Sequence, residues 1–328
     1  MARYLLRRLG QAAFVLWAAF TLSYAILFVL PGDPVDIKLG GLESNAAPEQ
    51  IAEVRDRYGI GDPLLVQYGK ALRNALAGDF GHSIQTGAEV RTTITDALPE
   101  TLKLTAFALL LAVVFGAGIA LLATYVRGRA LRQLLLSVPA VGISVPVFWV
   151  GLLLIQVVSF QWRLLPALGN DGFESLVLPA VTLALPVGAM IAQVLAKSMT
   201  TALAAPYIGT ARAKGAGRVR IHFRHALRNA SLPTLTLFGV VAGNLVTEAV
   251  VVETVFSRAG LGRVTAFAVD RQDIPVVQGV VVLSALIFVA VSLLLDVLYP
   301  LLDPRIARDR APLRRSAARA SAVQGAAA

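Results

Sequence analysis

Six long apolar runs alternate with polar stretches along the chain, at residues 9–30, 102–125, 134–160, 176–199, 235–255 and 276–302. Each meets or exceeds the ~20 residues that a helix needs to cross a hydrocarbon core about 30 Å thick. The pattern predicts an all-α polytopic membrane protein with six transmembrane helices. The first run follows Arg3, Arg7 and Arg8 and ends at Leu30-Pro31-Gly32-Asp33-Pro34 without a small-residue cleavage pattern. It therefore reads as a retained helix rather than a signal peptide. Gly116 and Gly118 predict close helix approach in the second run. Pro139 and Pro146 predict kinks in the third run, and Pro179 and Pro186 interrupt the fourth, where neighbouring helices or water must satisfy the freed carbonyls.

The polar stretches divide the chain. Residues 1–30 are the N-terminal spanning helix. Residues 31–100 form an extracytoplasmic segment, richer in acid than base, that reads as a lid or rim. It holds an amphipathic piece at 49–58, with Ile51, Val54 and Tyr58 on one side, and a second at 64–76 that starts from Pro63. The cluster Gly78-Asp79-Phe80-Gly81-His82-Ser83 then reads as a turn. Residues 101–304 are a five-helix core, with outer loops at 162–174 and 257–275. Residues 305–328, rich in Arg and Ala and poor in large apolar residues, are expected to be a disordered cytoplasmic tail.

Charge sets the orientation. Of 30 Lys and Arg residues, about 19 fall on the side shared by both termini, against about 3 of the 20 acids, so the positive-inside rule places both termini in the cytoplasm. The hydrophobic share of 56% and mean hydropathy of +0.70 fit the same class. The net charge of +10 is explained by these loops, and the thin aromatic content among the basic residues argues against nucleic acid. With no cysteine, thiolate chemistry and cysteine metal sites are absent, and His82, His222 and His225 form no ligand cluster. No phosphate-cradling P-loop, G-x-S-x-G or H-E-x-x-H occurs. The acids within the runs are Glu248, Glu253 and Asp296. An intramembrane carboxylate is a functional candidate, and Glu248 is placed to face a polar path. Glu253 lies nearer the interface, and Asp296 reads as a structural pairing.

The stretch 207–233, YIGTARAKGAGRVRIHFRHALRNASLP, is a basic island without an acid. It reads as about 25 residues of helix ending at Pro233, within a cytoplasmic coupling loop at 200–231. Small residues Ala211, Ala213 and Gly215 would let a partner surface approach closely, and Arg212 and Lys214 would supply docking charge. The island resembles the coupling loop of ABC-importer permeases, built around E-A-A-x-x-x-G. Gly215 matches the glycine, Thr210 and Ala211 the small and polar positions, and Gly209 stands where the glutamate would be. That departure fits the dipeptide/oligopeptide/nickel branch, whose loop reads T-A-R-A-K-G then R-H-A-L-R-N-x-x-x-P, here 210–215, 224–229 and Pro233. The resemblance extends over most of the chain, through Leu30 to Pro34, 58–64 with Gln67-Tyr68, 78–83, Pro99-Glu100-Thr101-Leu102, 252–257, Gly260-Leu261-Gly262, and 296–305. The long outer segment resembles the B-type, first permease subunit.

The resemblance implies a type I ABC-importer permease fold in the bacterial inner membrane, and half of a translocation pathway for di- or oligopeptides. It implies a second, C-type permease, two cytoplasmic ATPases and an extracytoplasmic substrate-binding protein as partners. No catalysis and no cofactor is expected in this chain, with ATP and Mg held by the ATPases. The ATPase-coupling residues would be Thr210, Ala211, Arg212, Ala213, Lys214 and Gly215. Trp149 and Glu248 are the pathway candidates, and the outer segment and the Gly260 loop would meet the binding protein. Nickel, glutathione or another small solute is the alternative cargo. A self-sufficient secondary transporter, the second alternative, would carry more mid-membrane charge and internal repeats.

Overall fold

The computed structural model describes residues 2–29 and 63–302. The amphipathic piece at 49–58, the Leu30 to Pro34 motif and the tail at 305–328 lie outside the described residues, as does the side chain of Asp296. Helix α1 is Ala2–Val29, and α2, Leu64–Leu76, starts with Pro63 at its N-cap. Helix α3 is Val90–Tyr125, α4 Arg129–Ser144, and α5 Val147–Leu154, which continues as a π-wound segment over Ile155–Gln161. Helix α6 is Glu174–Ala204 and α7 Pro206–Ala213. Helix α8 runs over Arg218–Val255 and is π-wound at Ile221–Ala226. Helices α9, Leu261–Asp270, and α10, Ile274–Leu302, complete the set. No strand occurs among the described residues.

Five of these helices, α1, α3, α6, α8 and α10, are long and apolar enough to span a membrane. The expected third span is instead a broken one, with α4 and the α5 segment meeting at 101°. Pro146 is the cause. The residue before a proline is pushed out of the helical region, and Val145 is extended at φ −89, ψ 129. Pro139, expected to kink the same run, stays buried inside α4 without breaking it. Taking the bent pair as one span gives six. The second span is longer than expected, because helical structure begins at Val90 and carries Pro99 inside α3.

The core is built on α3 packed along α6. Leu104, Ala108, Ala112, Gly116 and Ala120 are buried on α3 at a spacing of four, and Ala180, Ala184, Gly188, Ala192 and Ala196 are buried likewise on α6. The two helices touch backbone to backbone at the middle of these stripes. A Cβ on Gly116 would lie 2.5 Å from the Gly188 carbonyl oxygen. Lipid tails are as apolar as leucine, so packing contact rather than hydrophobic transfer holds such helices together, and small residues maximise it. Gly118, the other glycine singled out, has open space where its Cβ would be. Phe256, Leu245 and Val252 of the α8 end close the core, with Leu183 and Ile191 of α6.

Helix α2 lies against α1. The Tyr68 hydroxyl is 2.8 Å from that of Thr21, and its ring packs against Phe20 and Tyr24. Leu65 and Leu76 of α2 are left exposed. The turn cluster is tied to the end of the α9 segment. The Asp273 carboxylate accepts hydrogen bonds from the Ser83 hydroxyl and, at 3.0 Å, the Ile84 amide. Phe80 packs with Val90, Ile94 and Val276 in a second apolar cluster.

Helices α3 and α6 run one way and α8 returns the other way. The connection between α6 and α8 therefore lies at one end of the bundle, and the loops after α8 lie at the other. At 1.5 Å per residue, the 38 residues of α8 extend for about 57 Å, well beyond a hydrocarbon core of about 30 Å. The basic island and the α8–α9 turn thus stand on opposite sides of the membrane.

Candidate functional site: a basic elbow and a buried polar knot

The basic island is an elbow, not one helix. Ala205 is extended, and Pro206 opens α7 at a first-turn position where its missing amide costs nothing. Helix α7 ends after eight residues in a glycine-closed turn. The Gly215 amide donates to the Arg212 carbonyl at 2.9 Å and the Ala216 amide to that of Ala211 at 3.0 Å. Gly215 sits at φ +80, a left-handed conformation that side chains with a Cβ resist. The motif glycine is therefore explained by backbone geometry, since its missing Cβ faces open space. The chain restarts as α8 at Arg218, and Pro233 lies inside that helix rather than ending the island. Four-residue spacing alone could not reveal the break, because both helices share the same basic composition.

The elbow is fastened to the bundle at three points. Ile208 of α7 is buried. The Asn229 side-chain amide donates to the Tyr207 hydroxyl at 3.0 Å, tying α8 to α7. The Arg218 guanidinium lies over the Tyr125 ring, 4.3 Å from its centroid, and donates to the Tyr125 carbonyl. His222 is buried with its ring against Tyr125 and Phe223, and its Nε2 has no hydrogen-bond partner. The rest of the predicted coupling set points outward. Thr210, Arg212, Ala213, Lys214 and Gly215 are exposed and Ala211 is half-buried. Gly209, where the general motif has glutamate, is also exposed with nothing around its missing Cβ, so this chain loses no internal salt bridge there.

At the other end of α8 the structure assembles a polar knot that sequence reasoning missed. Glu253 is fully buried. Its Oε1 accepts the Thr101 hydroxyl at 2.6 Å and its Oε2 the Gly262 amide at 2.6 Å, while the Leu261 amide donates to Thr101 Oγ1 at 2.8 Å. Leu261 and Gly262 open α9, so a carboxylate from α8 and a hydroxyl from α3 cap the unpaired first-turn amides of a third helix. Room for this carboxylate exists only because residue 260 is glycine; a Cβ there would lie 2.2 Å from Glu253 Oε1. Gly260-Leu261-Gly262 is buried within the loop expected to meet a binding protein, while Ala259 and Arg263 beside it are exposed. The available signal was a glutamate followed at seven and nine positions by glycines.

A buried arginine adjoins the Glu253 carboxyl group. Arg258 donates through Nη1 to the carbonyls of Gly169 and Ser175, each at 3.1 Å, and through Nη2 to Glu100 Oε2 at 3.0 Å. Asn170 bridges the same carboxylate at 2.7 Å and accepts the Ala259 amide at 2.7 Å. The loop at 162–173 is thereby tied to α3 and to the α8–α9 turn. The two pathway candidates are not drawn into this network. Trp149 on α5 and Glu248 on α8 are exposed on the isolated chain. Neighbouring Gly151 packs against Val255 and Phe256, so the two helices are adjacent there. No group of three or more metal-ligating side chains gathers among the described residues.

The family described as binding-protein-dependent transport system inner membrane component matches residues 91–308, and its N-terminal counterpart matches residues 1–105. The chain belongs to this family. It is 36% identical over 314 residues to a probable peptide ABC transporter permease of Sinorhizobium fredii, covering 93% of this chain and 99% of that one. It is 31% identical to a dipeptide transport system permease of Alkalihalophilus pseudofirmus and 36% to a glutathione transport system permease of Salmonella paratyphi A, with the same coverage. A chain of the MetNI methionine ABC transporter, solved in inward-facing conformations, shares the fold at TM-score 0.54 and 16% identity, over 64% of this chain and 95% of that one. This permease is thus a multi-pass inner-membrane protein. Its relatives are transporter subunits, and as a binding-protein-dependent permease it works with an ATPase and a binding protein.

Proposed function

We propose that this permease forms half of an ATP-driven import pathway for small peptides, with the elbow as its ATPase contact. The observation that carries the reading is the elbow itself. An eight-residue helix closed by a left-handed glycine exposes Thr210, Arg212, Ala213, Lys214 and Gly215, while Ile208, Asn229 and Arg218 hold its base to the bundle. A push on α7 would therefore move α8 as a lever. Both termini and the elbow face the cytoplasm in this reading, since the elbow carries the basic loops. The chain itself supplies no catalytic group. ATP and Mg bind in partner ATPases, and a C-type permease supplies the other half of the pathway, with Trp149 and Glu248 among the lining residues on this side. Peptide cargo is supported by relatives named for peptide, dipeptide and glutathione transport at comparable identity.

The test is co-purification with the two ATPases, comparing wild type with a variant in which Ala211, Ala213 and Gly215 are replaced by Leu, Leu and Val. Wild type is expected to retain the ATPases and to support ATP-dependent peptide uptake into vesicles. The variant is expected to lose at least about tenfold of that retention, as for a contact worth 1.4 kcal/mol or more. Uptake that proceeds without any ATPase would replace this reading with a secondary transporter. A Glu248→Ala variant with unchanged uptake rate and peptide range would assign Glu248 a structural place only.

A further inference from the structure

We infer that the elbow end of this permease carries a binding site for the headgroup of an anionic phospholipid, between α3, α4 and α6. A cavity of about 360 Å³ opens there. Arg132 of α4 and Lys197 of α6 line it, together with Gln193, Thr200 and Thr201, and its remaining walls are apolar, including Leu136 and Pro139. Among the described residues neither Arg132 nor Lys197 has an ion-pair partner. A carboxylate is also missing from the elements that build this end, for no Asp or Glu occurs between Glu100 and Asp171 or between Glu174 and Glu248. Two cations converging on one cavity at a membrane boundary, without an acid to neutralise them, call for an anion from outside the chain.

The apolar part of the site selects the source. Leu136, one turn from Arg132 on the same helix face, is exposed, and Ile119, Leu135 and Pro139 line the cavity beside it. Leu122 of α3 is exposed as well. A phosphate with acyl chains can set its charge between Arg132 and Lys197 and lay its chains along these residues. A free phosphate would gain nothing from that wall. The cavity also borders α6 one turn before the elbow, since Thr200 and Thr201 line it and α7 begins at Pro206. An occupied site would brace α3, α4 and α6 where the elbow attaches. The inference rests on membrane insertion alone, not on which compartment the elbow faces or on the peptide reading.

The test uses the full chain purified in detergent and titrated with dioleoylphosphatidylglycerol or dioleoylphosphatidylcholine, with bound lipid counted by native mass spectrometry. Phosphatidylglycerol is expected to be retained and phosphatidylcholine not. Each of R132Q and K197Q should weaken retention about fivefold, and the double variant about 30-fold, as for roughly 1 kcal/mol per basic residue near a membrane surface. R132K and K197R should restore retention, which separates lost charge from lost folding. Lys103→Gln, at the opposite end of α3, should leave it unchanged. Equal retention of the two lipids, or retention that survives the double variant, overturns the site. Displacement by 50 mM inorganic phosphate would assign it to a free anion and overturn the lipid. None of these outcomes depends on ATPase retention, so the proposal fails or stands separately from the transport reading.

Discussion

Glu253→Ala is expected to abolish uptake and to destabilise the permease by about 2–4 kcal/mol, the cost of leaving two buried donors without their acceptor and of the void left behind. The carboxylate holds α3 through Thr101 and the first turn of α9 through Gly262, and it is fully buried. Truncation leaves the Gly262 amide without its acceptor and opens a void between three helices. Gly260→Ala should reproduce most of this loss from the other side, because its Cβ would lie 2.2 Å from Glu253 Oε1. Residue 260 adopts φ −106, ψ 179, open to any residue, so the effect is steric crowding rather than backbone strain. Glu253→Gln keeps the volume and one acceptor oxygen and should fall between. Detergent-denaturation midpoints together with vesicle uptake would check the order. A Glu253→Ala protein with wild-type midpoint and uptake would show that the knot is dispensable.

Gly116→Ile is expected to cost about 3 kcal/mol through overpacking, enough to leave little correctly assembled protein in the membrane. The Cβ would meet the Gly188 carbonyl at 2.5 Å and Ile191 at 3.0 Å. A backbone carbonyl cannot rotate away as a side chain can, so α3 and α6 would have to separate along their whole contact. Gly118→Ile is the internal control. It adds the same side chain two positions along the same helix, where the Cβ meets nothing within 4 Å, and should change stability by no more than about 0.5 kcal/mol. Expression level and unfolding midpoint in detergent distinguish the two. Equal behaviour would mean that the α3–α6 contact does not hold the core.

Much of this architecture was legible in the chain because membrane spans obey a strong constraint. Every backbone polar group in hydrocarbon must be satisfied within its own segment, so an apolar run of sufficient length becomes a helix whatever surrounds it. Five spans, the amphipathic helix at 64–76 and the position of the elbow follow from that rule and from the placement of Arg and Lys. The Gly215 turn was legible as a motif, and its left-handed geometry supplies the reason.

What tertiary structure decided is of a different kind. The 101° break comes at Pro146, which is exposed, while the helix runs unbroken through Pro139, which is buried. Gly116 and Gly118 are indistinguishable in a list of residues, and only the position of Gly188 separates them. Glu253, Thr101, Gly260 and Gly262 form one site from three helices, with Thr101 and Glu253 separated by 152 positions. Local periodicity reports on neighbours three or four residues away, whereas capping of one helix by side chains of two others is set by how the helices cross. The chain alone thus determined that this protein lives in the membrane and where it turns basic. Which of its few buried charges are paired, and which glycines must stay glycine, was decided by the packing of the helices in space.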